Sequence, residues 1–199
     1  MTTSTAVPDL RPALAAAQEW VAALIDGVGD DQLRLPTPCP DFDVAQLIGH
    51  LYTGADRVRV MAEGGDALTV PFIGELPGDG IADGYRSRTA AAQRAWAERA
   101  DLSAPVRAPW GEVPAAAAIG NYLSEALAHG WDLAVATGQP AEADPALVEP
   151  ALQAARRGIP AELRGQIPFG PVIEPADDAT PTERFVNWMG RDAGFSSAA

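Results

Sequence analysis

From Leu10 the larger apolar side chains recur at Leu14, Ala17, Val21, Leu24 and Val28, in steps of four and three that lay one stripe along a helix. This predicts a first helix that ends near Gly27 to Gly29. After the proline-punctuated LPTPCPDFD, Asp43 and Gln46 have capping-box spacing, and Val44, Leu47, Leu51, Ala55 and Val58 mark a second helix stopped by Gly64 and Gly65. Residues 66 to 80 are rich in Pro and Gly and read as a loop bordering a pocket. Ile81, Tyr85, Ala92 and Trp96 mark a third helix, and DLSAPVRAPWGEVP reads as a proline-bearing loop. Ile119, Tyr122, Ala126, His129, Leu133 and Ala136 then alternate in threes and fours up to Gly138, a fourth helix. A shorter helix follows through Leu147, Leu152 and Ala155. A last one is capped by Thr180, Pro181 and Glu183 and faced by Phe185, Trp188 and Met189.

The prediction is therefore all-α: a four-helix bundle over residues 1–140 with a helical C-terminal extension over 141–199 packed on it as part of the same domain. Forty alanines among 199 residues suit such packing. No apolar run is long enough to span a bilayer, and MTTSTAVPDL carries neither a basic start nor an apolar stretch, so a cytoplasmic protein is expected.

Charge narrows the chemistry. Twenty-seven acidic against 14 basic residues give a net charge of -13, which repels nucleic acid and anionic lipid. All 14 basic residues are arginine, so lysine Schiff-base and P-loop mechanisms are excluded. Cys39 is the sole cysteine, which excludes an intrachain disulfide and a cysteine-rich metal cluster.

Two histidines remain for chemistry near neutral pH. His129 lies in the apolar seam of the fourth helix, and Glu125, one turn earlier, is about 40° away around it. The spacing alone is weak: with 27 acids in 199 residues, a helical histidine has roughly a 0.4 chance of an acid three or four positions away. Cost says more, because a carboxylate near a seam needs an arginine, a protonated histidine or a metal. His50 on the second helix is the other imidazole, and with it the three residues make a ligand set with a coordination position left open. Against this, His50 sits about 90° from the centre of its helix's stripe, where it would face solvent, and Glu125 would then pair with an arginine. Both readings stand on spacing alone.

Asp132 and Asn121 are candidates to support a ligand from behind. Asp132 is equally suited to a salt bridge near the helix end, and Asn121 to a plain surface amide. Gly54 leaves volume above the site, and Arg57 could hold a substrate carboxylate, with a solvated surface arginine as the plainer reading. Cys39, between two prolines at a helix start where its pKa could fall, reads as a structural thiol because no base is adjacent in sequence. Trp131 and Trp188 read as packing residues.

TPCPDFDVAQLIGH at 37–50, EALAHGWDLAVATGQ at 125–139 and FGPVIEPADDATPTERFVNWMGRD at 169–192 together resemble the DinB/YfiT-like metalloenzymes. Within them they resemble the actinobacterial group similar to the metal-binding N-terminal domain of mycothiol-dependent maleylpyruvate isomerase. The resemblance implies a four-helix bundle in up-down-down-up order and a divalent metal, zinc foremost and nickel next, on His50, Glu125 and His129. It also implies mycothiol as cosubstrate, and relatives suggest a homodimer. The isomerase carries a second C-terminal domain, whereas this chain ends after a short extension, so the resemblance favours the metal site over that particular isomerisation. The expected activity is transfer of a low-molecular-weight thiol to a small electrophile, or its isomerisation. The alternatives are a metal-dependent hydrolase using bound water and a non-catalytic metal-binding or ligand-binding stress-response protein.

Overall fold

The computed structural model describes residues 8–167 and 169–195. Among them the chain forms six helices, α1 (Arg11–Asp26), α2 (Val44–Ala62), α3 (Ile81–Ala97), α4 (Ala115–Thr137), α5 (Pro145–Gly158) and α6 (Pro181–Trp188), and one hairpin, β1 (Pro105–Ala108) and β2 (Gly111–Pro114). The protein is mostly helical. None of these helices is long and apolar enough to cross a membrane.

Local chemistry sets the helix ends where the pattern predicts them. The Asp43 carboxylate accepts from the Gln46 backbone N–H, and the Gln46 side chain accepts from the Asp43 N–H, so α2 starts with two of its free donors satisfied. Thr180 and Glu183 do the same for α6. Gly138 closes α4 at φ +70°, a left-handed conformation that a side chain would strain.

Side-chain contacts fix the relative directions of the helices. Leu10, Trp20 and Leu24 of the first segment meet Gly120, Gly130 and Gln139 in the same order, so α1 and α4 run alongside each other in one direction. Tyr52, Asp56 and Val58 meet Gly84, Arg88 and Trp96, so α2 and α3 are likewise parallel. Arg11 donates to the Trp96 carbonyl while Arg86 pairs with Asp26, so the α2–α3 pair opposes the α1–α4 pair. The apolar stripes meet in two clusters. One, around Leu47, Ile48 and Leu133, surrounds the α2 end that carries His50. The other, around Ile119, Leu123 and Phe185, receives α5 and α6.

The segment 101–114, read above as a loop, holds the hairpin instead. Val106 pairs with Val113 in antiparallel register, and β1 alternates exposed and buried positions, Val106 and Ala108 facing in. Four residues per strand give a period-2 signal too short to stand out beside three prolines. The turn depends on Gly111 at φ +126°.

The Asp43→Ala variant removes the cap of the helix that bears His50. Its unfolding free energy in urea is expected to fall by about 0.5–2 kcal/mol with an unchanged denaturant slope.

Candidate metal centre

His50 on α2 and Glu125 and His129 on α4 meet across the seam between the two helices. One donor atom from each lies within 4.8 Å of the other two. His50 is buried despite its place at the border of the stripe. The Phe42 ring stacks on it at 5.1 Å, and Phe72 from the loop after α2 covers it at 4.8 Å. The reading that left it facing solvent is thereby corrected, because segments outside the helix supply its cover.

The protons on both rings can be assigned from their partners. His50 Nδ1 lies 3.0 Å from the Phe72 carbonyl, which can only accept, so Nδ1 carries a proton and Nε2 faces Glu125 Oε1 at 3.0 Å. His129 Nδ1 lies 3.0 Å from Asp132 Oδ2 and donates to it, leaving Nε2, which makes no hydrogen bond among the described residues. Each ring is thus held from behind by an oxygen with its second nitrogen turned to the other donors, the arrangement that metal-ligating histidines require.

The loop that orients His50 depends on a glycine. A Cβ on Gly49 would come within 2.5 Å of the Gly74 carbonyl, and the Gly74 N–H donates to the Gly49 carbonyl at 3.0 Å. This close approach sets the Phe72 carbonyl over His50, and the Thr53 hydroxyl donates to the same carbonyl at 3.0 Å. Behind His129, Asp132 has no exposed side-chain surface and also accepts from Arg191 at 3.0 and 3.2 Å. The sequence reading did not include Arg191. It lies 59 positions from Asp132, and its only prior signal was its place in the third family-like segment.

Electrostatics follow from these contacts. Burial opposes a charge on His50, but the Glu125 carboxylate outweighs it and holds His50 above the ordinary imidazole value. Burial likewise opposes charge on Glu125, yet His50, His129 and Arg57 together lower it. Burial pushes His129 down towards its neutral, metal-binding form, with Asp132 opposing. Asp132 is held low against its own burial by Arg191 and His129.

The other sequence candidates divide. Asp132 makes both contacts weighed for it, accepting from His129 Nδ1 and pairing with Arg191. The Asn121 amide lies instead against Gly158 of α5 and makes no hydrogen bond to this group, so the structure does not bring it to the centre. Arg57, whose plainer reading was a solvated surface residue, is buried at 8% exposure. The Cys39 sulfur lies within 4.8 Å of donor atoms of His129 and Asp132, a proximity hidden in the sequence. Burial raises its pKa rather than a helix end lowering it. Trp131 is buried in the core, as a packing residue should be.

The model of the mycothiol maleylpyruvate isomerase N-terminal domain matches residues 14–134, which include all three donors. The chain belongs to this family. The match to the mycothiol maleylpyruvate isomerase N-terminal domain family spans the two helices on which His50, Glu125 and His129 lie close enough to hold a metal ion. It is also 33% identical over 176 residues to the uncharacterized proteins Rv0738 and MT0763 of Mycobacterium tuberculosis, strains H37Rv and CDC 1551, covering 88% of this chain and 93% of theirs. No solved structure matches it significantly.

The His50–Glu125 pair gives metal-free protein a two-sided pH profile. The raised His50 stabilises the fold below the ordinary imidazole value, and this contribution is lost as pH rises through its folded value. The lowered Glu125 stabilises above the ordinary carboxyl value and is lost as pH falls through its folded value. Urea midpoints across pH are expected to peak between these limits, and Glu125→Gln is expected to flatten the alkaline limb.

Proposed function

We propose that the chain is a divalent-metal-dependent enzyme that activates a low-molecular-weight thiol, mycothiol or a close analogue, for transfer to a small electrophile. The observation that carries this reading is the pair of imidazoles with Nδ1 already engaged and Nε2 free or turned to a carboxylate, all three donors within 4.8 Å. Two neutral nitrogens and one carboxylate suit zinc foremost and nickel next, with a coordination position left for the thiol. The contacts between α1 and α4 and between α2 and α3 support an up-down-down-up bundle of the DinB type, and the family match supports the thiol.

A bound divalent ion would stabilise the sulfur anion at neutral pH and fix its direction of attack. The chain's own residues hold that arrangement. Phe72 and Asp132 set the ring orientations of His50 and His129 through their acceptor oxygens. Arg191 keeps Asp132 ionised, so the carboxylate takes the Nδ1 proton of His129 and, in the neutral ring that burial favours, leaves the lone pair on Nε2. Were both to hold an ion, the ring proton shared between His50 Nε2 and Glu125 would have to leave.

Elemental analysis of untagged protein is expected to find one equivalent of metal, and His129→Ala to lose both that metal and thiol-transfer activity. Asp132→Asn, which weakens the support behind His129, is expected to bind zinc about 10–100-fold more weakly, measured on protein whose circular dichroism matches the wild type. Thiol transfer retained in chelator-treated protein would overturn the proposal, and turnover without any thiol would replace it with hydrolysis.

A further inference from the structure

Arg57 lies two turns beyond His50 on α2 and is 8% exposed, yet it forms no ion pair with any described carboxylate. Its Nη2 donates to the Pro71 carbonyl at 3.0 Å and to the Val70 carbonyl at 3.5 Å. Its Nε is shielded from water without any partner, and Nη1 makes no hydrogen bond among the described residues. Tethering the loop thus uses one of three nitrogens. A buried guanidinium with donors to spare is costly unless an anion completes it.

The nearby Glu125 carboxylate, whose charge the guanidinium helps to hold, is hydrogen-bonded through Oε1 to His50 and makes no ion pair with Arg57. Gly54, between His50 and Arg57 on α2, leaves room beside Glu125, since a Cβ there would meet only Glu125 Oε1, at 3.7 Å. One aromatic ring beside the guanidinium is left uncovered by the fold. Phe72, its centroid 5.7 Å from the Arg57 Cζ, is 61% exposed. A buried cation with unpartnered donors beside the donor set, edged by an exposed ring, matches one ligand chemistry: an anionic head on a flat apolar body.

We propose that Arg57 is a carboxylate-binding residue and that the electrophilic substrate is a small monocarboxylate with a planar apolar body, its head on the guanidinium and its body against Phe72. The role of this ligand as substrate rests on the thiol-transfer reading, whereas its binding does not.

Calorimetric titration of benzoate, benzamide and acetate into chelator-treated and zinc-loaded protein tests the binding. Benzoate is expected to bind both forms, with benzamide and acetate at least tenfold weaker. Arg57→Gln and Arg57→Met are expected to weaken benzoate at least tenfold at unchanged circular dichroism and zinc content. In the wild-type protein, the Arg57 Nε–H proton resonance, assigned by its loss in Arg57→Lys, is expected to shift on adding benzoate, a readout that does not require the other variants to fold. Equal benzoate affinity in folded Arg57→Gln, a still Nε–H resonance, or benzoate binding that needs zinc and vanishes in His129→Ala would each overturn the proposal. Failure to bind zinc would overturn the metal reading and leave the benzoate result standing.

Discussion

Asp132 is a carboxylate with no exposed side-chain surface, in a protein interior made largely of alanine, leucine and aromatic rings. Such a group is tolerated only if every lone pair that matters is met, and two donors meet it, the imidazole of His129 and the guanidinium of Arg191. From that requirement follow the tautomer of His129, the side of its ring presented to Glu125 and His50, and the docking of the segment after α6 against α4. The donor set is therefore the front of a buried polar network that continues behind it.

The second support is built differently. His50 is oriented by a backbone carbonyl, and that carbonyl is held by a loop lying close against α2 where Gly49 has no side chain. One histidine thus leans on an ion pair, which chemistry at a distance can alter, and the other on main-chain geometry, which only the path of the loop can alter. Rings from Phe42 and Phe72 seal this side, so His50 is dry although its own helix would have left it near the surface.

Features written in short stretches of chain were legible in the sequence. Capping boxes at Asp43 and Thr180, the three-four alternation of α1 and α4, and the Glu125–His129 spacing are local, and local physics reads them. What stayed hidden depends on tertiary placement. Arg191 reaches Asp132 across 59 positions, Cys39 comes beside His129, and Arg57 is buried by a loop whose course no periodicity describes. Asn121 shows the converse. It shares a helix with Glu125 at a spacing of four, yet α5 occupies its side, so helical spacing places a residue on a face without saying what covers that face. The hairpin was missed because two strands of four residues carry too few alternations to compete with their prolines.

The bond between Arg191 and Asp132 has a thermodynamic corollary. Coupling between two binding events is reciprocal, so if anchoring the carboxyl-terminal segment steadies His129, then whatever occupies His129 must tighten the grip on that segment by the same free energy. The segment after α6, remote in sequence from the two helices that face each other, would then gauge the filling of any centre they share.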